Sequence, residues 1–275
     1  MVKNICFGLL LGVSGVNCFA APIESQHMVM KDPAGAIRDI YYENQEGYPV
    51  AEGDIILTSH LKKTKLFTSI INNIAGSSWP NGVIPFVFDA SLPIEQKQVI
   101  KDAMMLWQHQ ATIQFIEINN LSDSQYVDYI YIQPVAGTTC SSEVGKKGGK
   151  QLINLSSRCN TMSIAHELGH TLGLWHEQSR QDRDQYVQIV WDNIKAGHQS
   201  NFNQHLTDGL DYGPYNYDSL MHYSACAFSK NVTCATAENE GSAQKTILPF
   251  RDGVYIGQRD HISQGDIDAI KAIYG

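Results

Sequence analysis

Three histidines set the terms for this chain. In His166-Glu167-Leu168-Gly169-His170-Thr171-Leu172-Gly173-Leu174-Trp175-His176-Glu177 the first two stand four residues apart. On a helix that spacing puts both imidazoles on one face, one above the other. Two ring nitrogens so placed reach one Zn²⁺ at ~2.0–2.1 Å. Glu167 follows His166 directly and is badly aimed to be a further helical ligand. It is better placed to take a proton from water activated by the metal. Gly173 explains how a third ligand arrives. A residue that tolerates φ > 0 just past a helix end turns the chain sharply, and doubling back brings His176 to the same point. Three histidines leave a fourth position for water, which is the open arrangement of a catalytic zinc. The pentad HExxH alone falls by chance on some exposed amphipathic helices. The extended spacing is far more specific, because each fixed position has its own geometric task.

The run HELGHTLGLWHEQSRQDRDQYV at residues 166–187 resembles the zinc signature of the astacin family of metzincin peptidases, with Glu177 as the distinguishing residue after the third histidine. Ser219-Leu220-Met221-His222-Tyr223 resembles that family's Met-turn, its tyrosine two places after the methionine. The resemblance runs from about Trp79 to the C-terminus. It implies an α+β, zincin-like catalytic domain: a mixed, mostly parallel sheet, an active-site helix carrying the ligands, a Met-turn, and a cleft between two subdomains. It implies one Zn²⁺ per subunit on His166, His170 and His176, with Glu167 as the catalytic base. Tyr223 would ligate the resting zinc and swing out to hydrogen-bond the oxyanion, a task suited to a phenol. Glu177 would lie buried near the mature N-terminus. From spacing alone Tyr223 reads as core, and Met221 as a soft apolar floor. Ile256-Gly257-Gln258-Arg259 resembles a segment lining the pocket for the residue after the scissile bond, where Arg259 would favour acidic side chains. A surface arginine is the plain alternative.

The 275 residues are 43% hydrophobic and 17% charged, enough for one sizeable core and a short extra segment. A net charge of −8, with no basic run longer than Lys146-Lys147, argues against nucleic acid as partner. Protein or peptide substrates are expected, met by a monomer. Residues 1–20 read as a signal peptide: Lys3 at the start, an apolar run over 5–16, and a small-x-small site at Cys18-Phe19-Ala20. That run is too short to anchor the chain in a bilayer, so the product is expected to be secreted, extracellular or periplasmic. A lipoprotein attached through Cys18 is the alternative. Of the six cysteines, setting aside Cys6 and Cys18 leaves four, with three possible pairings. Cys140–Cys159 with Cys226–Cys234 is the most local set. The resemblance supports the first pair. The family's other disulfide has no counterpart, since Thr112 falls near its first position, and Cys226–Cys234 would be a local substitute.

Residues 21–72 form a separate stretch, polar and punctuated by Gly and Pro, which composition alone reads as a linker. Glu52-Gly53-Asp54-Ile55 gives a sharper reading. Pro-segments of the astacin family carry F-x-G-D, whose Asp ligates the zinc and displaces its water. Asp54 matches that zymogen ligand and Gly53 permits close approach to the cleft. The Phe position is Ala51, a departure that weakens the expected anchor. The stretch is therefore expected to be a pro-peptide, with Lys62, Lys63 and Lys65 as cutting sites.

The catalytic domain, residues 73–275, opens at a Trp79-Pro80-Asn81-Gly82 turn. Residues 83–88 read as a strand, with Pro85 suggesting an edge or irregular position. Ser91 reads as the N-cap of a helix to about His109 whose inner face carries Ile100, Ala103, Met104 and Trp107. Residues 112–118, 129–132 and 151–155 read as strands, with a glycine-rich loop at 141–150, and 263–273 as a closing helix. The polar run 180–187 reads as solvated, salt-bridged surface. His198 and His205, on no ligand spacing, read as ordinary surface residues. The whole describes a secreted zinc endopeptidase made as a zymogen. Two alternatives stand beside it: a zinc-dependent binding or adhesion protein with little catalysis, and an amide-cleaving factor with a non-protein target.

Overall fold

The computed structural model describes residues 26–31, 37–57, 77–206, 209–231, 234 and 244–275. The expected signal peptide, the three lysines at 62, 63 and 65 and the 72/73 boundary lie outside the described residues. In chain order the strands and α-helices are β1 (Gln26–Lys31), β2 (Ile37–Gln45), β3 (Tyr48–Ala51), β4 (Ile55–Ile56), β5 (Val83–Phe88), α1 (Ile94–Gln108), β6 (Gln114–Glu117), β7 (Tyr129–Pro134), β8 (Cys140–Ser142), β9 (Lys150–Leu155), α2 (Thr161–Leu172), β10 (Val187–Ile189), β11 (Ile247–Pro249) and α3 (Gln264–Tyr274).

Most strands join one nine-stranded sheet in the order β1-β2-β3-β4-β8-β9-β7-β5-β6. Its parallel part is β9-β7-β5-β6, and β8 runs antiparallel beside β9. Parallel strands are covered on both faces and so carry apolar runs. Ile84, Phe86, Ile130, Ile132, Ile153 and Leu155 are all buried here, each contributing about 1.5–3 kcal/mol relative to exposure. Helix α1 turns Ile100, Ala103, Met104 and Trp107 into this core, as their helical spacing predicts. The indole of Trp107 donates to the Ala165 carbonyl of α2 at 2.8 Å, and that of Trp79 donates to Thr171 O at 3.0 Å. Two buried indoles thus fix α2 against the sheet.

A second core holds Val187, Ile194, Phe202, Tyr215, Tyr223 and Ile247, braced by the antiparallel pair β10–β11. Leu220 and Met221 belong to the sheet-side core and Tyr223 to the other. The turn at 219–223 therefore runs between the two layers, and the cleft lies above it.

Several local expectations are corrected. Strand β5 is interior, with β6 and β7 on its two sides; its pairing with β7 starts at Phe86, so the N–H that Pro85 lacks falls ahead of that ladder. The residue capping α1 is Pro93, without a side-chain bond. Ser91 instead hydrogen-bonds Asp89 through both its N–H (2.8 Å) and its hydroxyl. The run 180–187 is salt-bridged and exposes Gln181, Asp184 and Gln185, but its two arginines turn inward. Arg180 and Arg183 are 2% and 3% exposed. Arg180 grips Asp182 with two bonds of 2.7 and 2.8 Å and donates to the Tyr212 and Gly213 carbonyls. Arg183 donates to the Gln178 and Phe202 carbonyls. Buried guanidinium groups require such saturation. Finally, the glycine-rich stretch after 140 begins with a strand, β8, and the segment before 57 supplies β1–β4 of the sheet.

Candidate active site

The Asn160 side chain starts α2 by accepting the Ser163 N–H at 2.9 Å. Gly173 ends it with φ 111°, while Leu174 N–H returns to Gly169 O at 2.9 Å. The reversed chain brings His176 back to His166 and His170. The Nδ1 of His166 donates to Leu220 O at 2.9 Å, and that of His170 to Leu174 O at 2.8 Å. Among the described residues, the Nε2 atoms of these two rings are buried without a hydrogen-bond partner. Asp54 reaches the same point. Its carboxylate lies 3.3, 3.8 and 3.2 Å from Nε2 of His166, His170 and His176. One donor atom from each of these four residues falls within 4.8 Å of the others. Buried nitrogens aimed at one point, on rings locked through their far nitrogens, fit a zinc ion, and the N/O donor set is that of zinc. The structure thus brings together His166, His170, His176 and Asp54 as the sequence predicts.

Glu167 sits beside them, 3% exposed. Burial, together with the negative charge of Asp54, pushes its carboxyl well above the ordinary carboxylate range. Asp54 behaves oppositely: burial opposes its charge, but His176 and His166 hold it well below the ordinary range. Tyr223 is buried with its ring 4.6 Å from that of His176, and its hydroxyl donates to the Glu52 carbonyl. Burial and the Asp54 and Glu52 charges raise the phenol well above its usual range.

Met221 lies under α2, where a Cβ at Gly169 would fall 2.8 Å from its sulfur. The turn that carries it hangs on Asp266 of α3, which accepts from Ser219 Oγ at 2.6 Å and Leu220 N at 2.8 Å. Arg259 is half-buried beside the cleft, donating to the His222 and Gln258 carbonyls at 3.2 and 2.8 Å. With Asp54, His166, Glu167, Tyr223 and Phe228 it lines a space of about 390 Å³. Glu177 accepts from Asn216 N at 2.7 Å and borders a separate cavity of about 40 Å³ shared with Arg180 and Asp266. Burial pushes its carboxyl up to about 8 against the pull of Arg180. The expected disulfides are present, Cys140–Cys159 joining β8 to the turn before α2 and Cys226–Cys234 closing the loop that carries Phe228.

The segment carrying Asp54 enters the cleft through a left-handed pair, Glu52 at φ 49° and Gly53 at φ 80°. A Cβ at Gly53 would fall 2.5 Å from the Phe228 ring, so the aromatic contact there comes from Phe228, while Ala51 is buried nearby. After Asp54, strand β4 lies parallel to β8, and Ser142 N donates to Asp54 O at 2.8 Å. His198 and His205 are not ordinary surface residues. His198 Nδ1 lies 2.6 Å from Glu43 Oε1, and His205 Nε2 lies 2.5 Å from Glu52 Oε1. Sequence reasoning missed Glu52, Ser179, His205, Gly169 and Asp266. Only Glu52 had a visible signal, as the unread letter of the motif that named Gly53 and Asp54.

The model of the astacin peptidase family matches residues 72–275. Zinc metalloproteinase nas-4 of Caenorhabditis elegans is 36% identical over 232 residues, covering 82% of this chain and 68% of that protein. The astacin-like metalloendopeptidase of Mus musculus is 34% identical over 241 residues, 84% of this chain and 49% of that one. Tolloid-like protein 2 of Homo sapiens is 37% identical over 204 residues, 71% and 18% of the two chains. The chain thus spans about two thirds of nas-4 and half or less of the other two. Among solved structures, high choriolytic enzyme 1, a hatching-enzyme zinc-protease of Oryzias latipes, matches with a TM-score of 0.61 at 35% identity, over 72% of this chain and 92% of that one. With this match over the domain that carries the His₃ cluster, the chain belongs to the astacin family and is a zinc metalloendopeptidase.

Proposed function

We propose that this endopeptidase is made as a secreted zymogen whose residues 21–72 close the active site until they are removed. The observation that carries this is the Asp54 carboxylate among the Nε2 atoms of His166, His170 and His176, on a segment hydrogen-bonded along β8. The cleft is built from one chain on both sides, which suits a monomer, and two disulfides suit an oxidising compartment.

His166, His170 and His176 would hold a zinc ion, which would supply Lewis-acid chemistry toward the scissile carbonyl and toward water in the cleft. Glu167 accepts the proton of the attacking water and delivers it to the leaving amine. Tyr223, once released from the Glu52 carbonyl, donates its hydroxyl to the oxyanion. Strand β8, once β4 has left, offers its main-chain groups to an added substrate strand. Arg259 favours an acidic side chain after the scissile bond.

Hydrolysis of a quenched peptide library by the full chain, before and after limited trypsin treatment, tests the reading. Activity should appear on processing and vanish with a zinc chelator. Glu167→Ala should lower it about 10²–10⁴-fold, the usual contribution of a general acid–base group, while keeping its zinc. Asp54→Ala should weaken latency only in part without cutting, since the Glu52 carbonyl still holds Tyr223 and β4 still covers β8. Full activity in Glu167→Ala removes that residue from the mechanism. One equivalent of zinc with no peptide cleaved by the processed enzyme favours a binding protein.

A further inference from the structure

The three histidines are not supported alike. His166 and His170 each give their Nδ1–H to a main-chain carbonyl of the catalytic domain, Leu220 O and Leu174 O. His176 Nδ1 instead meets Glu52 Oε2 at 2.9 Å, from a residue 124 positions earlier in the pro-segment. A histidine that binds metal through Nε2 carries its proton on Nδ1 and needs an acceptor there to fix its tautomer and ring plane.

Glu52 is held as such an acceptor would be. It is 7% exposed. Its Oε2 also accepts from Ser179 Oγ at 3.2 Å, and its Oε1 faces His205 Nε2 at 2.5 Å. The His205 ring lies on Trp175, with centroids 4.5 Å apart. The Glu52 carbonyl takes the Tyr223 hydroxyl. Its backbone sits in the left-handed region at φ 49°, a conformation that a non-glycine residue keeps only where its surroundings impose it. Asp54 faces the Nε2 side of the His176 ring and Glu52 the Nδ1 side, so the two carboxylates do different things.

We propose that Glu52 is the positioning residue of the third metal ligand. The pro-segment supplies the acceptor that orients His176, so the latent chain assembles and holds its metal with a part that is later discarded. This rests on His166, His170 and His176 being the zinc ligands.

The test is the zinc affinity of the full chain, by competition with a chromophoric chelator, together with the absorption spectrum of the Co²⁺-substituted chain. Loss of such a partner costs about 10–100-fold in metal affinity. Glu52→Met, matched in length but without an acceptor, should lose that much while keeping the Co²⁺ band positions, because the donor set is unchanged. Glu52→Gln keeps an acceptor oxygen at the same reach and should recover part of the loss. Asp54→Asn changes a donor atom and should shift the bands. A Glu52→Met affinity within about twofold of the parent overturns the proposal. A parent chain that takes up no zinc defeats the ligand reading itself. If Glu52→Met does not fold, Ser179→Ala and His205→Ala carry the test, since each loosens Glu52 without touching a donor atom; unchanged affinity in both overturns the proposal.

Discussion

Gly169 lies inside the active-site helix, where glycine costs about 1 kcal/mol relative to alanine. Its place is explained by what lies beneath it. A Cβ there would come within 2.8 Å of the Met221 sulfur and 3.3 Å of the Trp107 ring. The helix therefore settles onto the methionine more closely than any other residue would permit. Gly169→Ala trades the better helix former for overpacking worth about 1–3 kcal/mol, so a fall in Tm of several degrees is expected by calorimetry. An unchanged Tm would show that Met221 yields freely. The signals at this scale that were legible in the sequence are local ones. His166, His170 and His176 obey a helical spacing and a turn, and Asp54 sits in a short motif. Glu52 obeys no spacing, because its partners His176, Ser179 and His205 lie more than a hundred positions away and share no period with it. His205 was unreadable for the same reason.

Strand β8 is three residues long and has a different neighbour on each side, β9 and, from the segment before residue 57, β4. A strand so short carries no alternation, and it hides at the start of a glycine-rich stretch, so the sequence reads as a loop there. β5, β7 and β9 were readable because each is an apolar run buried against its neighbours. Strands β1–β4 were not, since their order comes from a sheet edge that belongs to another part of the chain. That edge is measurable. The Ser142 amide, bonded to Asp54 O in the latent chain, should exchange slowly with solvent and become fast after processing, as read by hydrogen exchange on a peptide spanning 140–142. Retained protection would mean that another segment takes over the edge.

Two cores face each other across the turn at 219–223, and the metal site ties their borders together. His166 and His170 come from α2 on the sheet side, while His176 contacts Tyr223 of the other layer. A metal bound only by the folded state adds about 2.7 kcal/mol at a free concentration one hundred times Kd. For a domain of this size that is roughly 5–10 °C in Tm, which chelation should remove in a thermal scan of the latent chain. A scan that does not move would show that the histidines hold their places without metal. No helix among the described residues is long and apolar enough to cross a membrane.

The segment proposed to be removed is bound into the molecule at several points. Its strands extend the sheet, Glu43 lies against His198, and Glu52 against His205, while the expected cutting sites fall after residue 57. A nick at those sites breaks one covalent link and none of these contacts. On the proposed zymogen reading, cutting and switching on are separate events, divided by a dissociation step. Hydrolysis should trail the appearance of the cut chain on a gel by a lag, and because departure is first-order, that lag should be the same in dilute and concentrated samples. On that reading the severed piece is a tenant with its own residence time, and the enzyme's clock starts when it leaves.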